Sequence, residues 1–192
     1  MKNLSISLSD FFIKIITFDY FVIKKVLKEN VKDFKKKNVL DMGCGTGALS
    51  YLFSQKKYLG FDIDEESIRV AKKIHPGYKF QKGDATKFNL GKKYDLVIII
   101  GVIHHLSNAQ AAKAFSNVKK HLKKDGMAVV VEAIPPISKM NFLGRFLRFM
   151  DRGDYVRDIK DYRRLVKKDL SLSDSYEKKG GLVDYGILVA KK

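Results

Sequence analysis

The sequence predicts a doubly wound α/β fold, in which helices cover both faces of one mostly parallel, seven-stranded sheet that ends in an antiparallel C-terminal edge pair. Two observations predict it. Short apolar runs alternate with amphipathic segments of helical periodicity, which is typical of buried strands joined by helical crossovers. The last two apolar runs are separated only by the glycine pair 180–181, and a parallel crossover needs a much longer connection.

The elements follow one another along a single domain that spans residues 1–192. Strands are predicted at 38–41, 58–62, 78–82, 94–100, 127–133, 171–177 and 182–190, and helices at 11–27, 48–53, 65–74, 108–123, 140–150 and 159–168. The order divides the domain into a helical lid (1–37), a core (38–134), a helical insert (135–170) and a C-terminal strand pair (171–192).

A glycine-rich turn follows the first strand directly. Gly43, Gly45 and Gly47 let the backbone turn sharply and approach a bound ligand closely. The segment 48–53 then opens a helix whose first N–H groups point back to the same place. Asp41, just before the turn, favours a ligand with positive or hydroxyl-bearing parts over a bare phosphate. The pattern therefore predicts a nucleotide-sized cradle.

Acids mark the ends of the first three strands, where open α/β sheets bind ligands. Asp62, at the end of the second strand, is placed to accept hydrogen bonds from ribose hydroxyls. That spacing also suits a nicotinamide dinucleotide. Asp41 would then lie close to a pyrophosphate, and Asp84, which suits an adenine amino group, would have no role. The three acids together favour a different adenosine-containing ligand.

Four motifs in this order resemble those of the class I S-adenosylmethionine-dependent methyltransferases. The segment 39–47 is similar to the family's glycine-rich first motif, 60–64 to its second, 83–85 to its third, and 94–97 through 105–106 to its fourth. The resemblance implies a Rossmann-like methyltransferase fold, S-adenosyl-L-methionine as the cofactor and no metal. It covers residues 38–134 strongly, which makes this segment the cofactor-binding core and leaves 135–170 for the acceptor.

The resemblance assigns the cofactor to residues of these motifs. The first-motif glycines would pack against its methionine part, and Asp41 would face its amino group. Asp62 would bind the ribose, and Asp84 with the backbone of Ala85 would hold the adenine. The full implied set is Asp41, Gly43, Gly45, Gly47, Asp62, Ile63, Asp84, Ala85, Gly101 and Val102, with the last two beside the sulfonium. Helix capping by Asp62 and a turn role for Asp84 are the alternatives.

Three residues are candidates for catalysis. A hydroxyl acceptor needs a base, and imidazole is well matched to that task near neutral pH. His104 and His105 follow the fourth strand on the cofactor side of the sheet, and Glu132 lies near the end of the fifth. We expect His104 or His105 to line the acceptor pocket, with a packing or orienting role as the alternative. Glu132 is a second candidate base or acceptor-orienting group.

The arginines point to the acceptor. All of them except Arg69 lie within 145–164, and arginine recognises phosphate or carboxylate through paired hydrogen bonds. The predicted acceptor-binding residues are Arg145, Arg148, Arg152, Tyr155 and Arg157. They favour a small anionic acceptor, such as a phosphate-bearing sugar or a lipid-linked intermediate, that is methylated at oxygen. Pairing of these arginines with nearby aspartates is the structural alternative.

The bulk composition leaves two other functions open. A net charge of +17 favours an RNA methyltransferase as one alternative, although the lysines are spread over every segment of the sequence. A SAM-binding regulatory or partner subunit without catalysis is the other. The single cysteine, Cys44, fits a reducing, cytoplasmic compartment. The apolar stretch 11–27 carries too many charges to span a membrane, and contact with a membrane surface stays open. No oligomeric state is predicted.

Overall fold

The computed structural model describes residues 21–138, 154–180 and 183–192, which form one seven-stranded sheet between two layers of helices. The strands are β1 (Val39–Met42), β2 (Tyr58–Asp62), β3 (Lys79–Lys82), β4 (Tyr94–Ile100), β5 (Leu122–Ile134), β6 (Ser171–Gly180) and β7 (Val183–Lys191). The helices are α1 (Phe21–Asn30), α2 (Glu65–Ile74), α3 (Asn108–His121) and α4 (Ile159–Val166).

The strand order across the sheet is β3-β2-β1-β4-β5-β7-β6. The pairs from β3 to β5 are parallel, whereas β7 lies antiparallel to both β5 and β6. The strand order reverses between β1 and β4, which is where doubly wound sheets open a ligand crevice. The predicted fold class, with its antiparallel C-terminal pair, is confirmed.

Each sheet face packs against its own helices. Side chains alternate along β4, so that Val97 and Ile99 face a core shared with α3 and α4, while Leu96 and Ile98 face a core shared with α1 and α2. All four side chains are fully buried. Burial of both sheet faces explains why the strands appear in the sequence as continuous apolar runs.

The N-terminal helix is part of the second core. Val26 and Leu27 of α1 are fully buried beside the sheet, and the helix continues to Asn30, beyond the predicted end at residue 27. The described part of the predicted lid therefore packs as a core helix. The predicted segment 11–20 and the predicted helix 140–150 lie outside the described residues.

The helix predicted at 48–53 is wrong. Two single 3-10 turns, Ser50–Leu52 and Gln55–Lys57, take its place. Successive bonds reach back only three residues, from the Ser50 N–H to the Gly47 carbonyl and from the Phe53 N–H to the Ser50 carbonyl. The left-handed backbone of Gly47 and the extended backbone of Phe53 leave too few residues between them for an α-helix.

The boundary between α3 and β5 also differs from the prediction. The helix ends at His121, and the strand begins at Leu122 instead of 127. Lys124 and Asp125, near the start of β5, are exposed. Because the apolar pattern of the strand begins only after them, the sequence does not indicate that the strand starts before them. Leu122 pairs with Tyr94 across a register shift, which marks it as part of the sheet.

Candidate active site

The carboxyl ends of β3, β2, β1 and β4 lie side by side at one edge of the sheet. Because these strands are parallel neighbours, the predicted cofactor-binding residues from all four motifs meet there. Asp62 ends β2, Asp41 lies one residue from the end of β1, and Gly101 follows β4. Asp84 follows β3 by two residues.

The first and last glycines of the turn are closely packed against neighbouring side chains, and the central glycine is not. Gly43, Gly45 and Gly47 all have positive φ angles, which disfavour other residues. A Cβ atom at Gly43 would strike the Val102 side chain, and one at Gly47 would lie 2.6 Å from the Phe80 ring. A Cβ atom at Gly45 would meet nothing within 4 Å. Gly45 therefore borders open space at the place predicted for the ligand.

Asp62 fixes the shape of the cradle. Its Oδ2 accepts a hydrogen bond from the Gly45 N–H at 2.8 Å, and its Oδ1 accepts one from the Asp64 N–H at 3.0 Å. The cap of α2 is Asp64, which accepts from the Ser67 N–H at 3.0 Å. Helix capping is thus the task of Asp64, and Asp62 connects the glycine turn to the end of β2.

Asp41 is a buried acid beneath the same turn. Its side chain is 3% exposed, and the Tyr58 hydroxyl donates to its Oδ2 at 2.6 Å. Burial raises the pKa of Asp41 to about 7, against the opposing effect of the Tyr58 hydrogen bond and with a smaller contribution from the negative charge of Asp62. A cationic group placed here would relieve the cost of the buried charge.

Sequence reasoning missed Tyr58. A glycine opposite Asp41 is the signal that could have found it, since Gly60 pairs with Asp41 in register. Tyr58 and Gly60 lie on one face of β2, and a Cβ atom at Gly60 would come within 2.9 Å of the Tyr58 hydroxyl. The missing side chain therefore lets this hydroxyl reach Asp41.

Asp84 has a local role in its turn. Its Oδ1 accepts from both the N–H and the hydroxyl of Thr86, at 2.8 and 2.7 Å. These hydrogen bonds hold the pKa of Asp84 below its usual value. Its Oδ2 lies 3.5 Å from the exposed Lys87 ammonium. Ile63, directly after the neighbouring strand β2, presents a side chain that is 67% exposed.

Glu132 holds together the turn after β4. Its Oε1 accepts from the N–H groups of Val102 and Ile103 at 2.9 and 2.8 Å, and its Oε2 lies 2.7 Å from His104 Nδ1. Glu132 is completely buried and His104 is 6% exposed. This geometry argues against Glu132 as a base that reaches an acceptor, because its carboxylate is occupied inside the fold.

The two neighbouring histidines differ in environment. His105 is exposed, and its ring lies 4.1 Å from the His104 ring. Because a carboxylate oxygen accepts hydrogen bonds, His104 Nδ1 is the donor to Glu132. This contact orients the His104 ring. Tyr155 lies beside them, because its N–H donates to the His104 carbonyl at 2.9 Å, and its side chain is 43% exposed.

Arg157 does not fit the predicted acceptor-binding role. Its guanidinium is 8% exposed and donates to three backbone carbonyls and one amide oxygen. The acceptors are Ile103 O at 3.0 Å, Leu106 O at 2.6 Å, Tyr155 O at 2.7 Å and Asn108 Oδ1 at 3.0 Å. Arg157 therefore ties the segment around Tyr155 to the histidine turn. Arg145, Arg148 and Arg152 lie outside the described residues.

Two other kinds of feature, metal-binding clusters and membrane-spanning helices, are absent from the described residues. Within 21–138, 154–180 and 183–192, no cluster of three or more His, Cys, Asp or Glu side chains could hold a metal ion. No helix in these ranges is long and apolar enough to cross a membrane.

Known proteins resemble this chain in sequence and in fold. Residues 39–126 match the family model of a methyltransferase domain. A ubiquinone biosynthesis O-methyltransferase of Rickettsia akari is 26% identical over 153 residues, which is 77% of this chain and 60% of that protein. The chain thus spans about 60% of the length of this relative.

Solved methyltransferase structures share the fold. One from Clostridium acetobutylicum, described as S-adenosylmethionine-dependent, superimposes with a TM-score of 0.70 at 17% identity and covers 96% of this chain and 97% of its own. The magnesium protoporphyrin IX methyltransferase of Synechocystis, crystallised with bound SAH, gives 0.68 at 20% identity over 94% of this chain and 84% of its own. The sequence match over residues 39–126 and the shared fold bear out the resemblance to the class I S-adenosylmethionine-dependent methyltransferases that the four motifs indicate.

Proposed function

We propose that this protein transfers a methyl group from S-adenosyl-L-methionine to an oxygen atom of a small acceptor. One observation carries the proposal: the glycine turn leaves open space over Gly45 beside Asp41 and Asp62. These groups match a ligand that combines a cation with a ribose. A relative with the word O-methyltransferase in its name supports oxygen as the methylated atom.

Asp62 and Asp84 would hold the adenosine part of the cofactor. Both carboxylates are already fixed by backbone N–H groups, so neither must lose conformational freedom when a ligand arrives. Asp62 would receive the ribose hydroxyls. Asp84 and Ala85 would hold the adenine, with the exposed Ile63 side chain covering the ring.

Asp41 would favour the positively charged amino end of the cofactor. A nearby cation lowers the pKa of a carboxyl group, so binding would draw the raised pKa of Asp41 downwards and release a proton near neutral pH. Tyr58 would keep the carboxylate in position through its hydroxyl. Gly43, Gly45 and Gly47 would pack against the methionine part, and Gly101 and Val102 would pass beside the sulfonium.

The cofactor would supply an activated methyl group, so the protein chiefly aligns the acceptor and manages its proton. His105 is exposed after β4 and would accept the proton of the acceptor hydroxyl. His104 and Glu132 would act as positioning residues, because Glu132 fixes both the His104 ring and the backbone of this turn. Tyr155 would border the acceptor.

The anionic character of the acceptor rests on fewer residues than the sequence predicts. Arg157 is occupied within the fold, so Arg145, Arg148 and Arg152 are left as the groups that would bind a phosphate. We retain a phosphate-bearing sugar or a lipid-linked intermediate as the proposed acceptor class on that basis.

Turnover with labelled cofactor and an extract of small metabolites tests the proposal. His105→Gln should lower methyl transfer by about a hundredfold, within the usual range for loss of a general base, and should leave cofactor affinity in calorimetry unchanged. His104→Gln should instead lower the melting temperature, since it alters the contact with buried Glu132. Full turnover by His105→Gln would exclude His105 as the base.

A further inference from the structure

Many of the described lysines, which are spread along the sequence, lie at one end of the sheet. Helices α2, α3 and α4 all run back to the end of the sheet where the parallel strands begin. Lysines occupy the connections and strand ends there, and they define what we call the basic end face. Its exposed members are Lys35, Lys36, Lys56, Lys57, Lys72, Lys73, Lys92, Lys93, Lys119, Lys120, Lys124, Lys167, Lys168, Lys191 and Lys192.

Contacts between neighbouring strand ends show that these segments are adjacent. The order of strands places β2, β1, β4, β5, β7 and β6 side by side, at a spacing of about 4.8 Å. Ladder pairing joins Lys191 of β7 to both Met127 of β5 and Ser171 of β6. Three side-chain bonds tie further segments together: Lys57 Nζ to Lys36 O at 2.9 Å, Lys123 Nζ to Asp95 Oδ1 at 2.8 Å, and Lys192 Nζ to Leu122 O at 2.9 Å.

The two ends of the sheet differ in charge. Acids on the segments of the basic end face are few: Asp33, Asp95, Asp125 and Asp169. One of them, Asp95, is paired with Lys123, and its pKa is about 2, because hydrogen bonds from Lys123 and Asn38 together outweigh the effect of burial. The opposite end carries Asp41, Asp62, Asp64, Glu65 and Asp84. Among the described residues, the excess of lysines over acids is therefore greater at the basic end face than at the cofactor end.

Helix dipoles account for only part of this pattern. Cations are favourable in the last turn of a helix, which explains Lys72 and Lys73 in α2 and the lysines at the end of α3. Lys56, Lys93 and Lys191 do not lie at the end of an α-helix, so the dipole of an α-helix does not account for them.

We propose that the basic end face binds the phosphate backbone of a double-stranded nucleic acid without reading its sequence. Lysine is a point charge suited to phosphate, whereas the planar arginine fork reads guanine. The two arginines in the last turn of α4, Arg163 and Arg164, are engaged by Ser175 and Asp161. Phosphate contacts by lysine supply most of non-specific binding.

Two features of the described residues favour a duplex over other polyanions. Among the described residues of these segments, Ile74 is the large apolar side chain that is exposed. The face therefore offers little apolar area that a membrane could bury. The exposed aromatic side chains among the described residues are Phe21, Tyr51 and Tyr155, and none belongs to the segments of the face. Unpaired bases would therefore find no aromatic platform for stacking there.

A duplex bound at this face is not the methyl acceptor. The seven residues of β4 separate Lys93 from Gly101 at the cofactor end, which at about 3.3 Å per residue is roughly 20 Å. The face would localise the enzyme on a nucleic acid while its site acts on another molecule. This position of the positive charge argues against the alternative of an RNA methyltransferase.

Fluorescence anisotropy with a labelled mixed-sequence duplex, measured over a range of salt concentrations, tests the proposal. The variant combines Lys56→Gln, Lys93→Gln, Lys124→Gln and Lys191→Gln. We expect it to bind at least about tenfold more weakly at low salt, and its slope of log affinity against log salt to be smaller by about 3 to 4.

A matched variant carries the same change of charge elsewhere. It combines Lys25→Gln, Lys113→Gln, Lys160→Gln and Lys179→Gln, all at exposed positions outside the face, and we expect its affinity to stay close to that of the wild type. Both variants should keep the melting temperature and the cofactor affinity of the wild type. Equal losses in the two variants, binding to phosphatidylserine vesicles in place of the duplex, or methylation of the duplex would overturn the proposal.

Discussion

Asp41 is the residue at which the fold and the proposed chemistry are most closely coupled. Burial raises its pKa to about 7 from the ordinary 3.8, and the Tyr58 hydroxyl donates a hydrogen bond to it. An acid in this position destabilises the folded protein whenever it is ionised. The raised pKa therefore makes stability depend on pH in a direction that can be measured.

We expect the free energy of unfolding to fall as pH rises from about 4 to about 7 and to level off above. The folded state holds a proton on Asp41 that the unfolded chain has already lost, so the slope reaches up to about 1.4 kcal/mol per pH unit. Urea denaturation over this pH range measures it. Asp41→Asn should remove this contribution, whereas Tyr58→Phe should extend the fall to higher pH. An identical pH dependence in Asp41→Asn and wild type would contradict the account.

A second prediction for a single residue concerns Arg157. Arg157→Met removes the hydrogen bonds from the buried guanidinium to the carbonyls of Ile103, Leu106 and Tyr155, so we expect a loss of about 2 to 4 kcal/mol in the free energy of unfolding. Arg164→Met is the matched control, because its partner is Asp161 and its side chain is 78% exposed; it should cost less than about 0.5 kcal/mol. Unchanged stability of Arg157→Met with loss of acceptor turnover would restore the acceptor-binding role.

Sequence patterns predict where the acids lie but not how each is held. Asp41 and Asp62 stand at strand ends, and strand ends follow from the order of apolar runs. The bond between Tyr58 and Asp41 depends on the register of β1 against β2, which no local pattern encodes. The burial of Arg157 likewise depends on carbonyls about 50 residues earlier in the chain.

Within the glycine turn, one glycine is required by the packing of the fold and another leaves room for the ligand. Gly43 lies against Val102, so its lack of a side chain lets the turns after β1 and β4 pack closely together. Gly45 has open space above it. Sequence reasoning treats these glycines alike and extends a helix from the turn, because the apolar residues that follow also suit helical periodicity.

We expect Gly45→Ala to lose mainly cofactor affinity and Gly43→Ala to lose mainly stability. Gly45→Ala pays a left-handed backbone cost of about 1 to 2 kcal/mol and places a methyl group in the open space, so cofactor affinity should fall at least about tenfold while the fold is kept. Gly43→Ala adds a collision with Val102 and should cost about 3 kcal/mol or more.

Thermal melting and calorimetry distinguish the two variants. The expected pattern is a modest shift in melting temperature with lost cofactor binding for Gly45→Ala, and a large shift for Gly43→Ala. Unchanged cofactor affinity in a folded Gly45→Ala protein would mean that the open space over Gly45 is not the ligand cradle.

The distribution of charge between the two ends of the sheet is not apparent from the sequence. Lysines are distributed over every segment, yet the alternation of strand and helix returns many of the described ones to the same end of the sheet. The same topology brings the acids of the first three motifs to the opposite end. The fold class and the antiparallel C-terminal pair were accessible from the sequence, because they depend on periodicity and on connection length. The separation of charge was not, because it emerges only when each lysine is placed on the completed sheet.

The central claim is that the cradle at the ends of β1 to β4 binds S-adenosyl-L-methionine through Asp62. Calorimetric titration of the cofactor into Asp62→Ala tests it most directly, with Asp64→Ala as the matched control two residues away. Asp64→Ala removes the cap of α2 and should lower stability by about 1 kcal/mol with cofactor affinity close to that of the wild type. Asp62→Ala should abolish binding, and an affinity equal to that of the wild type would contradict the claim.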